Sequence, residues 1–150
     1  MVILKRTNSS DEDFVKLIQE LDQNLAKKNG DKNEFFQQFN KVDLIHHVVI
    51  IYDDENAVAC GAFKKLDENS VEIKRMYTKT EARKKGFAQQ ILTELIHWAK
   101  EEGYTDAVLE TGEKMKEAIR LYKAYGFETI PNFPPYENEN TSICFKKFII

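Results

Sequence analysis

A mixed α/β fold, with early antiparallel strands followed by a strand–helix–strand–helix unit, is predicted by three features of this 150-residue sequence. First, two runs rich in Val, Ile and Ala, "LIHHVVIIYDD" and "AVACGAFKKL", flank a polar turn at Asp53 to Asn56, which is a hairpin pattern. Second, the period changes between Gly86 and Glu102. There Phe87, Ile91, Leu92, Leu95, Ile96 and Ala99 trace one helical face, and Gly103 stops it. Third, strand-like "YTDAVLET" and helix-like "KMKEAIRLYKAYG" repeat the alternation, ending at Gly126.

Along the chain, "VILKRT", Val2 to Thr7, reads as a first strand. "NSSDEDFVKLIQELDQNLAKKNG" carries a Ser cap, acids in its first turn, and Phe14, Leu17, Ile18, Leu21 and Leu25 at helical spacing, with Gly30 as its stop. "EFFQQFN" reads as a shorter helical piece. The hairpin comes next, then the strand "SVEIKRMYT", the long helix, the strand "YTDAVLET" and the last helix. Two closing strands, beginning "FETI" and "TSICFKKFII", surround a proline-containing loop, Pro131 to Pro135. No internal repeat, low-complexity tract or linker divides the chain, so one domain over residues 1–150 is expected.

Composition narrows the function. Hydrophobic content of 42% and charge of 31% are those of a globular protein. Twenty-two basic residues against 25 acidic ones argue against a nucleic-acid protein, which normally shows a dominant basic face. No run approaches the ~20 apolar residues of a membrane span, and no signal-peptide pattern is present, so a cytoplasmic address is expected and no membrane partner. Cys60 and Cys144 lack a CxxC partner, which predicts two reduced, buried thiols. His46 and His47 are expected to point to opposite faces of a strand and His97 lies in the long helix, so no metal site is expected.

The segment Arg83-Lys84-Lys85-Gly86-Phe87-Ala88 opens the long helix. A helix start carries unpaired N–H groups and partial positive charge, both suited to an anion. Glycine admits close backbone approach, Ala88 keeps the first turn narrow, and three cations add charge. The GK[ST] of a nucleotide P-loop is absent. On these residues alone, a phosphate seat and a plain basic loop both stand.

"EIKRMYT", then Arg83 to Ala88, then "LET" and "AIRLYKAYGF" together resemble the GNAT superfamily of acyl-CoA-dependent N-acyltransferases, in its bacterial small-acceptor type. Arg83 to Ala88 satisfies the family hallmark Q/R-x-x-G-x-G/A, and Leu121-Tyr122 through Gly126-Phe127 satisfies L-Y-x-x-x-G-F. The likeness is strong over Val71 to Phe127 and rests on element order elsewhere. It implies a mixed, mostly antiparallel sheet flanked by helices, with splayed fourth and fifth strands. It also implies acetyl-CoA as cosubstrate, no metal, and an amine acceptor attacked directly within a ternary complex. Two departures stand out: Thr80 where proline is common, and Met115 where the family often has an Asn. The second bears on one side-chain contact to pantetheine and leaves the backbone contacts intact.

By that resemblance, Arg83, Lys84, Lys85, Gly86, Phe87 and Ala88 hold the coenzyme pyrophosphate. Backbone groups of Met76, Tyr77 and Thr78 line the acyl arm, one N–H polarising the thioester carbonyl. Tyr122 matches the family tyrosine near the coenzyme sulfur and is the candidate general acid. Aminolysis also needs a neutral amine, hence a base acting directly or through water. Glu72 and Glu110 are the two candidates. Strand alternation puts Lys74 on the face of Glu72, so a lowered pKa is expected there. The Phe35, Phe36 and Phe39 cluster reads as helix packing on a segment that flanks the acceptor side in the family, and Phe133 and Tyr136 are read the same way; the Pro131 to Asn140 loop is expected to cover the acceptor. A small-molecule amine is the favoured acceptor, and a homodimer stays open. The competing readings are an acyl-CoA-binding domain without turnover, and a polyanion-binding module using Arg83 to Lys85, which the net charge of -3 disfavours.

Overall fold

The computed structural model describes residues 1–29 and 44–150. Its strands are β1 (Val2–Thr7), β2 (His47–Asp53), β3 (Asn56–Lys65), β4 (Ser70–Thr78), β5 (Asp106–Gly112), β6 (Glu128–Ile130) and β7 (Ser142–Phe148). Its α-helices are α1 (Glu12–Asn29), α2 (Phe87–Glu101) and α3 (Lys116–Tyr125), with a 3-10 turn at Thr80–Ala82. The expected helical piece at 34–40, its Phe35, Phe36 and Phe39, and the Gly30 stop lie outside the described residues. Among the described residues, no helix is long and apolar enough to cross a membrane.

The strands form one seven-stranded sheet in the order β1-β2-β3-β4-β5-β7-β6. Every neighbouring pair is antiparallel except β4 and β5. The Asp54-Glu55 turn joins β2 to β3 with φ positive at both residues, the twist-matched geometry of a two-residue hairpin. Helices cover both faces. Phe14, Leu17, Ile18 and Leu21 of α1 pack with Val48, Ile50, Cys60 and Tyr77 on one side. On the other, Phe87, Ile91, Leu92 and Leu95 of α2 pack with Val49, Ile51, Phe63, Ile73 and Leu109, joined by Tyr122 and Phe127. Burial on both faces explains why Val48, Val49, Ile50 and Ile51 form an unbroken apolar run.

Two local expectations are corrected. The cap of α1 is Asp11, not a serine: its Oδ1 accepts the Asp13 N–H at 2.9 Å and its carbonyl accepts the Val15 N–H at 3.0 Å. Ser9 is engaged elsewhere, its N–H donating to the Ile45 carbonyl and its Oγ accepting the Ile45 N–H, both at 2.9 Å. Strand β2 begins at His47, so His46 precedes it; His47 stacks on Phe63 at 4.4 Å. In the apolar tail, Phe148 and Ile150 are exposed while Ile149 is buried. The two cysteines are buried and unpaired, as expected.

Strand β4 is irregular on both of its edges. Its pairing with β5 runs only through Ser70–Asp106, Val71–Ala107 and Glu72–Val108, after which the strands part. Its pairing with β3 shifts between Cys60–Tyr77 and Ala62–Lys74, so Gly61 faces both Arg75 and Met76. Arg75 absorbs this bulge with φ of 59°. Gly61 is required by proximity: a Cβ there would lie 2.5 Å from Ile91 Cγ2 and 2.6 Å from Met76 Sδ. Gly61→Ala is therefore expected to destabilise the fold by ~1–3 kcal/mol, the usual cost of overpacking, read as a lower midpoint in urea unfolding.

Candidate active site

The parted strands open a cleft of ≈ 640 Å³. Its upper wall is the β4–α2 connection: Tyr77, Thr78, Arg83, Lys84, Gly86, Phe87 and Ala88. Gly86 caps α2 in the left-handed region, φ 81° and ψ 11°. That conformation is nearly free only for glycine, and a Cβ added there would meet nothing within 4 Å, so the space before the first turn of α2 is open. Lys84 is also left-handed, at φ 65°. Arg83 Nε donates to the Thr78 carbonyl at 3.1 Å, tying the basic loop to the end of β4. The opposite wall is the β5–α3 connection, with Lys114, Met115, Lys116 and Ala118. The starts of two helices thus border one cleft, and their dipoles add positive potential there.

Next to the cleft lies a chamber of ≈ 120 Å³ lined by Glu72, Lys74, Arg75, Glu110, Thr111 and Tyr136. Leu21, Leu25, Met76, Met115, Ala118 and Tyr122 border both spaces. Met76 and Tyr122 therefore stand where the outer cleft meets the chamber. Tyr122 is buried, packed against Phe127 at 5.9 Å and Phe145 at 6.1 Å, and burial raises its phenol pKa.

The carboxylates of the chamber behave differently from expectation at one position. Glu72 lies 7% exposed, and desolvation raises its pKa despite the opposing charges of Lys74 and Lys64. The expected lowering by Lys74 is overturned, because burial costs the charged form more than the ammonium returns. Glu110 is pushed up to about 7, chiefly by burial and further by the Glu72 charge. The Ser142 hydroxyl, which donates to Glu110 Oε2 at 2.7 Å, opposes that shift. Among the described residues no three His, Cys, Asp or Glu side chains gather as a metal site.

The acetyltransferase (GNAT) family model matches residues 12–127. The chain belongs to the GNAT acetyltransferase family. An uncharacterized N-acetyltransferase of Bacillus subtilis is 34% identical over 98 residues, 64% of this chain and 65% of that protein. The match thus spans a little under two thirds of the Bacillus protein's length. A Klebsiella pneumoniae structure assigned as an acyl-CoA N-acyltransferase superposes with a TM-score of 0.83 at 26% identity, covering 100% of this chain and 99% of the other. A GNAT family acetyltransferase from Elizabethkingia anophelis, solved with acetyl-CoA bound, has the same fold with a TM-score of 0.70 at 15% identity, covering 98% of this chain and 97% of the other.

In this member of the GNAT family most residues singled out from sequence converge. Met76, Tyr77, Thr78, Arg83, Lys84, Gly86, Phe87, Ala88 and Tyr122 all line the outer cleft. Glu72, Glu110 and Tyr122 share the chamber. Lys85 is exposed and is absent from both linings. Tyr77 is tied to α1, its hydroxyl donating to Glu20 at 3.1 Å, so its side chain buttresses the wall. Of the two expected loop aromatics, Tyr136 lines the chamber and Phe133 packs behind it at 5.7 Å. Sequence reasoning missed Lys114, Lys116 and Arg75. The first two flank Met115, and only the parallel placement of β4 and β5 brings them opposite Gly86.

Proposed function

We propose that this GNAT protein is an N-acetyltransferase that moves an acetyl group from acetyl-CoA to the primary amine of a small molecule, by direct attack in a ternary complex. One observation carries the reading: the cleft at Gly86 and a chamber holding two carboxylates lie side by side and share Met76 and Tyr122 in their walls. The acetyl-CoA held by the Elizabethkingia relative supports the choice of cosubstrate.

The residues present fit that cosubstrate. Open space at Gly86 and the N–H groups of the first turn of α2 suit a pyrophosphate. Arg83, Lys84, Lys114 and Lys116 supply cations around it. Met115 offers an apolar wall in place of an amide contact, leaving β4 backbone groups to hold the pantetheine arm. Those groups are released from β5 beyond Glu72. Acetyl-CoA, when bound, supplies the activated acyl group. Glu110, poised near neutrality, takes the proton of the acceptor ammonium directly or through one water. Tyr122, kept protonated by burial, donates to the departing thiolate. A backbone N–H of Met76 to Thr78 stabilises charge on the carbonyl oxygen, a contribution of about 3 kcal/mol for one well-placed donor. The chamber's small volume and its cover of Tyr136 favour a small acceptor over a folded protein.

Calorimetric titration with acetyl-CoA, with ATP as control, tests the premise. Saturable acetyl-CoA binding without ATP binding is expected. At about 100-fold above Kd it should stabilise the fold by ~2.7 kcal/mol. Folded protein that ignores acetyl-CoA would overturn the reading; tight binding without thiol release across an amine panel would favour a binding domain instead.

A further inference from the structure

Arg75 occupies an unusual place. Its side chain is 2% exposed, yet it sits in the bulge of β4, at φ 59°, and forms part of the wall of the inner chamber. Nη1 donates to Asp22 Oδ1 of α1 at 2.9 Å. Nη2 is buried with no hydrogen-bond partner, and it is the one such buried side-chain atom among the described residues. A guanidinium offers donors and no acceptor, so only an acceptor can satisfy Nη2. Leaving a buried charged donor unpaired is costly, and natural folds satisfy such groups almost without exception. Arg75 lines the chamber while its Nη2 lacks a partner, and a ligand in the chamber could supply the missing acceptor.

The rest of the chamber indicates which kind. Lys74 and Arg75 line it together with Glu72 and Glu110, so both signs of charge are presented within one small space. A simple alkylamine would use the carboxylates and leave Arg75 unsatisfied. A zwitterion uses both: its ammonium lies towards the carboxylate that deprotonates it, and its own carboxylate accepts from the guanidinium.

We propose that the acceptor is a carboxylate-bearing amine of the α-amino acid class, and that Arg75 Nη2 binds its carboxylate. This rests on the N-acetyltransferase reading and names the substrate class for that same site. The bulge is then functional: without it, strand alternation would turn the Arg75 side chain to the opposite face of the sheet, away from the chamber. Arg75 selects and positions the acceptor; the proton transfers belong to other groups.

The test compares acids with their amides. Thiol release from acetyl-CoA is followed with the twenty α-amino acids and with the carboxamides of those accepted. A preference for acid over amide of about 10–100-fold in kcat/KM is expected, the scale of one hydrogen bond to a charged group. Arg75→Lys retains a cation for Asp22 but loses the second planar donor, so it should shrink that ratio towards one, mainly through acceptor KM. Calorimetry with the N-acetylated acid and its amide gives the same comparison without turnover. Equal use of acid and amide, preference for amines without a carboxylate, or an unchanged ratio in R75K would each overturn the assignment while leaving the acetyltransferase reading intact. Failure of acetyl-CoA itself to bind would remove both. Should R75K not fold, the wild-type ratio decides.

Discussion

Glu110→Gln is expected to lower kcat by about 10²–10⁴-fold, the usual contribution of a positioned base, while raising thermal stability at pH 8. The two effects share one cause. In the folded chain burial and the neighbouring Glu72 hold the Glu110 pKa at about 7, against an ordinary value of 4.5. Only the ionised form can accept the acceptor's proton, so wild-type kcat/KM should rise with pH up to about 7 and then level, apart from a later rise as free amine accumulates. The glutamine variant should keep only that later rise. For stability the sign runs the other way. Between pH 4.5 and 7 the unfolded chain has released this proton and the native chain still holds it, so stability falls as pH increases through the window. Well above pH 7 the wild type carries a buried carboxylate at a cost on the order of 3 kcal/mol, which a neutral amide avoids. The amide oxygen can still accept from Ser142. At roughly 2–4 °C per kcal/mol, the variant should melt several degrees higher at pH 8 and about equally at pH 4. Activity retained within about threefold, with the large loss appearing instead in Glu72→Gln, would move the base to β4.

Tyr122→Phe separates an enzyme from a binding domain. The ring contacts with Phe127 and Phe145 survive the change, so the melting temperature should move little. Loss of the proton donor should reduce kcat by about 10²-fold or more. Acetyl-CoA affinity, which the proposed mechanism assigns to Gly86 and the β4 backbone, should change less than about threefold, because those groups are untouched. A variant with full turnover would show that another group or water protonates the thiolate. A variant with a large loss of acetyl-CoA affinity would show that Tyr122 serves the coenzyme arm and not the chemistry.

Much of the fold is legible in the sequence because its signals are local. The hairpin, the stripe of α2, the stop at Gly126 and the left-handed Gly86 at the start of α2 are each encoded within a short stretch of chain, where period and backbone preference act. The departures are of a different kind. Ser9 has the chemistry of a cap, but its hydrogen bonds go to Ile45, a residue distant in sequence. Glu72 has Lys74 two residues away, which alone would make it a weaker base; burial by neighbouring elements outweighs that charge. Lys114 and Lys116 escape notice because nothing local marks them as partners of Gly86.

The sequence by itself therefore determined the family, the order of the described elements and the glycine that opens α2, since periodicity, glycine placement and two short motifs carry that information. The tertiary structure alone decided which carboxylate is poised near neutrality, which cations face the cleft, and that Arg75 is buried with one donor unpaired. Those properties depend on desolvation and on distances between elements far apart in the chain, and neither exists until α1, β4, β5 and the β6–β7 loop enclose the same space.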